Sequence, residues 1–379
     1  MLTHMRIAVN TRLLLKGKMD GIGWFTAESM RRIVCSHPEH TFYFLFDRKP
    51  DPEFVFASNV VPVVLCPQAR HPVLWYMFFE WAVPFALKKY KIDLYVSPDG
   101  MMPLHPKVPT LTVIHDLNFE HATGNLKGSH QRYMTHWFKL FAQNATRVAT
   151  VSEYSKKDIA ETYGVAPNKI DVVYDGSHPC YRPHSEEEKA KTREQFTNGC
   201  RYIIFVSTIL KRKNLANLLI AFDRVKTMEP DTLKLVVVGS RVWWQDELAE
   251  AYDNMLHKED VIMPGHIDAD ELAALMSAAE ALVYPSYFEG FGIPILEAMY
   301  AETAVICSNT TSMPEVGGDA VLYIDPASPE DIAHAISKIG RSDVRKELIE
   351  KGRGQRSLYS WERTANLLWT SMMRTIGKE

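Results

Sequence analysis

The sequence predicts an α/β protein made of two doubly wound, Rossmann-like domains, and three observations carry that prediction. The chain has 379 residues, which corresponds to roughly two domains at ordinary domain sizes. Short apolar runs alternate with amphipathic stretches through both halves, as parallel sheets covered by helices require. The runs are continuous rather than alternating, the mark of strands buried on both faces. The pattern restarts at Tyr202 after a polar stretch, Gly176 to Gly199, rich in Pro, Ser and Glu. Residues 1–177 are therefore expected to form the first domain and 178–360 the second.

In the first half, Met5 to Val9 is a buried strand, interrupted by Arg6, Asn10 and Arg12 too early for a signal peptide or membrane span. Asp20, Gly21 and Gly23 follow as a loop before a helix from about Trp24 to Ile33. Such a loop can cradle phosphate or simply turn the chain, and its spacing is not the G-x-G-x-x-G of a dinucleotide site. Thr41 to Phe46 and Val60 to Leu65 are strands. Val73 to Tyr90 gathers Trp75, Tyr76, Phe78, Phe79, Trp81 and Phe85 and runs into Lys88, Lys89 and Lys91. That stretch has two readings: an interfacial segment with a basic rim, or, preferred on sequence, a core helix with a basic C-terminal end. Pro84 predicts a kink in it.

Leu94 to Ser97 and Leu111 to Ile114 are further strands, and the second delivers His115 and Asp116 at its C-terminal end, where open α/β sheets bind ligands. On the residues alone, Asp116 also reads as a turn cap and His115 as a core histidine. Arg147 to Val151 is a strand leading to Ser152, a natural N-cap for a helix ending near Gly164.

The second half opens with a helix across Glu186 to Phe196 and a strand from Tyr202 to Val206. Ser207, Thr208 and the cluster Lys211, Arg212, Lys213, Asn214 then precede a helix from Leu215 to Val225. Cations at a helix start oppose its dipole and call for an anion. Leu235 to Gly239 and Val261 to Met263 are strands, the latter followed by Gly265, His266 and Ile267. Asp268 and Asp270 suggest a metal pair, but Asp268 and Glu271 have the spacing of a capping box. After the strand Ala281 to Tyr284 comes PSYFEGFGIPILE, Pro285 to Glu297. Pro294 suits a first helical position, the amides around Gly292 and Ile293 make an anion site, and Gly290 and Gly292 admit a ligand to the backbone. Glu289 and Glu297 frame the loop. Carboxylates accept from hydroxyls and amides bind phosphate, so the stretch reads either as a pocket for a molecule carrying both, such as a nucleotide-sugar, or as a plain glycine turn with Glu297 a favourable charge near a helix N-terminus.

PSYFEGFGIPILEAM, with SNTTSMPEVGGDAVLYIDP from Ser308 to Pro326, resembles the donor-site signature of retaining glycosyltransferases of family 4, which have the GT-B fold. TVIHDL, VSEYSKKDI and FVSTILKRKN track other segments of that family. The resemblance implies two domains facing across a cleft and a last helix, within 361–379, crossing back onto the first. It implies that Glu289 holds sugar hydroxyls and Glu297 the ribose, with Gly290, Phe291, Gly292 and Ile293 at the donor. Arg212 and Lys213, beside Ser207 and Gly239, would bind the diphosphate, while His266 and Ile267 meet the nucleobase. Gly21 and Gly23 would lie against the donor, His115 would face its sugar, and Asp20 and Asp116 would lie on the acceptor side. Three positions depart from the family: Asp20 and Ser207 replace frequent glycines, and Asp175 stands where asparagine is commoner.

The implied activity is retaining, front-face hexosyl transfer without metal or bound cofactor, the co-substrate being a nucleotide-diphosphate sugar. Mannose and a GDP-sugar are favoured, with a glycan or lipid-linked glycan of polysaccharide biosynthesis as acceptor. A nucleotide-sugar epimerase, a sugar phosphorylase and a non-catalytic sugar-nucleotide binder share the architecture. Alanine at Glu289 or Lys213 is expected to abolish transfer and leave the fold intact. The net charge of −3 gives no global field for nucleic acid. Five widely spaced cysteines without a C-x-x-C pair argue for reduced thiols and a cytoplasmic protein, at most peripheral to the inner face of the membrane through Val73 to Lys91.

Overall fold

Continuous apolar strands do assemble into two all-parallel sheets. The computed structural model describes residues 4–121, 128–240, 244, 246–265 and 267–378. Among these, 4–121, 128–176 and 360–378 form one compact unit, and the described residues of 177–359 form the other.

The first unit contains β1 (Arg6–Asn10), β2 (Thr41–Phe46), β3 (Val60–Val64), β4 (Leu94–Ser97), β5 (Thr110–Val113), β6 (Arg147–Thr150) and β7 (Ile170–Val172). They pair in the order β3-β2-β1-β4-β5-β6-β7. The chain therefore winds outward from β1 in one direction, returns, and continues from β4 in the other. Its helices are α1 (Gly21–Ser36), α2 (Pro72–Met77), α3 (Val83–Lys89), α4 (Gly128–Asn144) and α5 (Glu153–Tyr163). Helix α1 begins three residues earlier than the sequence suggests, because Asp20 caps it by accepting from the Gly23 amide at 3.0 Å. Gly21 and Gly23 consequently lie in the first helical turn and not in a free loop. The expected kink near Pro84 takes the form of a π turn, Phe78–Ala82, immediately before α3.

The second unit contains α6 (Glu186–Thr197), β8 (Tyr202–Val206), α7 (Leu215–Met228), β9 (Lys234–Val238), α8 (Asp246–Asp253), β10 (Val261–Gly265), α9 (Ala269–Ala278), β11 (Ala281–Tyr284), α10 (Ile293–Tyr300), β12 (Ala304–Ser308), α11 (Met313–Gly317), β13 (Leu322–Ile324), α12 (Pro329–Ile339) and α13 (Ser342–Arg356). Its sheet runs β10-β9-β8-β11-β12-β13, the same winding with one strand fewer. β8, β11 and β12 are buried along their whole length, and Ile203, Phe205, Leu218, Phe222 and Ile306 lie in one core around them.

The last helix, α14 (Trp361–Thr375), belongs to the first unit. Arg32 Nε meets Glu362 at 2.8 Å, Ser371 Oγ donates to Asp171 at 2.7 Å, and the His37 ring stacks on Trp369 at 3.7 Å. Trp361 packs so tightly on Gly176 that a Cβ there would lie 2.6 Å from its backbone nitrogen.

Candidate functional site

In a doubly wound sheet the crevice opens where strand order reverses, beyond the carboxyl ends of the two central strands. In the second unit those strands are β8 and β11. The chain leaving β8 makes a single 3-10 turn, Lys211–Lys213, and Asn214 then takes a left-handed conformation at φ 61° to start α7. Asn214 is fixed there because its amide donates to the carbonyls of Pro285 and Pro326 at 3.0 and 2.7 Å. That turn aims Arg212 and Lys213 at the chain leaving β11.

There, Lys213 Nζ lies 2.6 Å from Glu289 Oε1 and Arg212 lies 3.2 Å from Oε2. Lys213 also donates to the Tyr284 hydroxyl at 2.8 Å, and Arg212 to the Phe288 carbonyl at 2.8 Å. Glu289 and Lys213 are 7 % and 8 % exposed, so one carboxylate and two cations share a desolvated space. Burial alone pushes the Glu289 carboxyl up, but Lys213 and Arg212 reverse it and hold it at about 2. Two cations thus meet one carboxylate in a site where charges must be paired to remain buried.

The loop around it is held by side chains of the 308–326 stretch. The Glu289 amide donates to Thr311 Oγ1 at 3.2 Å, and Ser312 Oγ donates to the carbonyls of Glu289 and Phe291 at 3.0 and 2.9 Å. Thr311 sits at φ 56°, an uncommon state for a β-branched residue that surrounding contacts must impose. Gly292 at φ 107° caps α10, with Ile293 as its first residue and Pro294 its second. Glu297 follows in the next turn. Burial raises its carboxyl to about 7, against a smaller opposing effect of the Tyr181 hydroxyl. At the next strand end, Gly239 has φ 149° and a Cβ there would fall 1.8 Å from the Ser207 carbonyl oxygen, so only glycine allows β8 and β9 to end this close together.

In the first unit the reversal lies between β1 and β4. Asp99, just past β4, receives Arg12 Nε at 2.5 Å, Asn10 Nδ2 at 2.8 Å and Ser97 Oγ at 3.1 Å. His115 stands beyond β5. Its Nε2 lies 2.9 Å from the Pro98 carbonyl, and since a carbonyl only accepts, that nitrogen carries the proton and Nδ1 is the free acceptor. Burial lowers the pKa of the ring despite the Pro98 carbonyl and the carboxylates of Asp116, Asp20 and Asp99, which keeps it neutral near pH 7. Asp116 caps a turn by accepting from the Asn118 amide at 3.0 Å.

Two family models divide this chain between them. The model for Glycosyltransferase Family 4 matches residues 21–179 and that for Glycosyl transferases group 1 matches residues 186–355. O-antigen chain mannosyltransferase B of Escherichia coli is 29 % identical over 280 residues, 73 % of each chain. O-antigen chain mannosyltransferase RfbU of Salmonella typhimurium is 29 % identical over 309 residues, 81 % of each. Among solved structures, HepE of Anabaena, crystallised with UDP and glucose, superposes with a TM-score of 0.75 at 16 % identity, over 98 % of this chain and 100 % of its own. The chain belongs to the group 1 glycosyltransferases, with the GT-B fold.

In this glycosyltransferase, Arg212, Lys213 and Glu289 form one contact group, and Gly290, Phe291, Gly292 and Ile293 carry the chain from it into α10. Glu297 lies within electrostatic reach of Tyr284, which touches Lys213. Ser207 and Gly239 touch each other, Ile267 follows β10, and His266 lies outside the described residues. Asp268 caps α9 through the Glu271 amide at 2.8 Å, as the cap reading requires. The reading of Glu289 and Lys213 as replaceable without harm to the fold needs correction: each is the other's buried counter-charge. Sequence reasoning missed the Asp99, Arg12 and Asn10 cluster, whose members are 87 and 89 residues apart, and gave no role to Thr311, Ser312 or Tyr284. Their common signal is a polar residue at, or within four residues after, the C-terminal end of an apolar strand.

Proposed function

We propose that this glycosyltransferase moves a hexose, mannose in the first instance, from a nucleoside-diphosphate sugar, GDP-sugar in the first instance, to a glycan or lipid-linked glycan in polysaccharide assembly, with retention at the anomeric carbon. One observation carries the reading: two cations face one carboxylate, dry, at the switch point of the second unit. The mannosyltransferases among the relatives favour the sugar.

In this reading the diphosphate takes the place of Glu289 as partner of Arg212 and Lys213. Glu289, ionised while the two cations face it, is then freed for the sugar hydroxyls, and Glu297 is assigned to the ribose. The bond between the anomeric carbon and phosphate breaks with its electron pair on the phosphate oxygen, where the two cations and the amides near Gly292 stabilise the charge. Preorganised stabilisation of this kind is usually the largest catalytic contribution. The acceptor oxygen bonds to the anomeric carbon from the side the phosphate leaves, and its proton passes to that phosphate. The chain supplies the positive charge itself, so the reading needs no metal. In the first unit, His115 is assigned to the sugar and Asp20 and Asp116 to the acceptor; the enzyme is assigned to the cytoplasm, where nucleotide-sugars are made.

A thermal-shift panel of GDP-, UDP-, dTDP- and ADP-sugars tests the donor class. The matching donor at about a hundred times its dissociation constant stabilises by roughly 2.7 kcal/mol, and no shift with any of them overturns the reading. Product analysis without acceptor separates transfer from epimerisation.

A further inference from the structure

Away from both polar clusters, the first unit carries an open groove of about 590 Å³ that transfer chemistry does not use. The end of edge strand β3 and the residues after it, Val63, Val64 and Leu65, form one wall. Met77, Trp81, Phe85 and Lys89 form the other, each four residues from the last. The other side of the same helical segment is already covered: Phe78, Phe79, Val83, Ala86 and Leu87 lie in the core. The segment is thus apolar on two sides, and among the described residues only one of them is packed into the core. Trp81 and Phe85 are 61 % and 68 % exposed, with Val73 and Val64 at 61 % and 50 %. Single exposed apolar residues are ordinary; a contiguous set walling a groove marks an interaction surface.

Charge and residue type select the partner. From Pro72 to Lys91 there are three lysines and a single carboxylate, Glu80, and Glu80 is turned to the Leu104 amide, 2.8 Å away. Lys88, Lys89 and Lys91 are exposed. Tyr76 touches both Trp81 and Trp137, with ring centroids 6.4 and 5.9 Å apart, a grouping of amphipathic rings suited to the headgroup level of a bilayer. A second copy of this chain, docked symmetrically, would set the same lysines against each other. No helix among the described residues is long and apolar enough to cross a membrane, so attachment is at the surface.

We propose that this face docks the enzyme on an anionic lipid bilayer, with Trp81, Phe85, Val73 and Val64 entering the boundary between headgroups and acyl chains. Lys88, Lys89 and Lys91 meet the lipid phosphates. This deepens the lipid-linked branch of the acceptor reading, but docking itself needs neither donor nor acceptor.

The experiment is co-sedimentation of the full chain with vesicles of phosphatidylcholine alone or mixed with phosphatidylglycerol. The enzyme binds the anionic vesicles, and more weakly as salt shortens the Debye length. Trp81→Ser with Phe85→Ser lowers the partition coefficient at least about tenfold, and Lys88→Gln, Lys89→Gln and Lys91→Gln together lower it on the order of a hundredfold. Unchanged melting shows that the fold is kept; should the aromatic pair melt early, the lysine triple decides. No binding to anionic vesicles, equal binding to both compositions, or a dimer in sedimentation equilibrium that the aromatic pair abolishes each overturns the proposal. Nucleotide binding by the second unit stays unchanged in both variants, so a negative vesicle result leaves the transfer reading standing.

Discussion

Both sheets reverse direction beside their first strand, and both place a buried ion pair at the reversal, yet Asp99 faces one cation there while Glu289 faces two. The rest of Asp99's hydrogen-bonding capacity goes to neutral groups, those of Asn10, Ser97 and the Met101 amide. The carboxylates of Asp20, Asp99 and Asp116 all act on neutral His115. One crevice is thus rich in carboxylate acceptors, three against the one paired cation, Arg12, which suits hydroxyls. The other sets two cations against one carboxylate, which suits phosphate. The same winding yields different electrostatics because Arg212 and Lys213, after β8, both meet Glu289, while Arg12, after β1, is the cation that meets Asp99.

The sharpest way to break this contrast is Glu289→Ala. Removing one member of a buried ionic group costs about 3–5 kcal/mol, read by denaturant melts, and added inorganic diphosphate should recover part of the loss. Asp99→Ala should gain nothing from diphosphate; recovery there would erase the distinction between the two crevices. Lys213→Met should lower kcat/KM about 10²–10³-fold, the usual loss for one donor to a developing oxyanion, measured with the donor that the panel identifies.

Gly239→Ala places a Cβ on the Ser207 carbonyl, and overpacking of this kind costs about 3 kcal/mol. The two glutamates of the signature should titrate in opposite senses. Glu289, held at about 2, contributes stability above its unfolded value of 4.5 that disappears as pH falls toward 2. Glu297, raised to about 7 by burial, stabilises as the neutral acid below 4.5, and that contribution is lost as pH rises through 7. Glu297→Gln should therefore flatten the stability profile between those values and gain at most about 2–3 kcal/mol over wild type at pH 8. The smallest effect is expected from Asp20→Ala, which removes the α1 cap and costs about 1 kcal/mol. A much larger fall in transfer than in stability would show that Asp20 also meets a ligand.

Strands such as Thr41–Phe46, Leu94–Ser97, Tyr202–Val206 and Ala281–Tyr284 were legible to the residue because a short unbroken apolar run suits a strand covered on both faces of a doubly wound α/β unit. α4 carries its signal only as the i, i+3, i+4 spacing of buried Phe138, Phe141 and Ala142, inside a stretch made polar by His, Gln and Lys. The start of α1 is hidden because two glycines resemble a loop, whereas Asp20 satisfies one of the free amides of the first helical turn, that of Gly23. For the site, the residue types were readable and the pairing was not. Lys213 and Glu289 are 76 residues apart, and only the β8–β11 adjacency turns two motif positions into a mutual counter-charge. The aromatic stretch before Lys88 mixed two periodicities for a physical reason: one side is core and the other is exposed.

The central claim is that Arg212 and Lys213 exchange Glu289 for a diphosphate. Calorimetric titration of GDP and UDP into wild type, Lys213→Met and Arg12→Met tests it most directly. The account predicts that one of the two nucleotides binds wild type, that Lys213→Met weakens it by about a hundredfold or more, and that Arg12→Met leaves it unchanged. Equal affinity in wild type and Lys213→Met, or binding that depends on Arg12 instead, would contradict it.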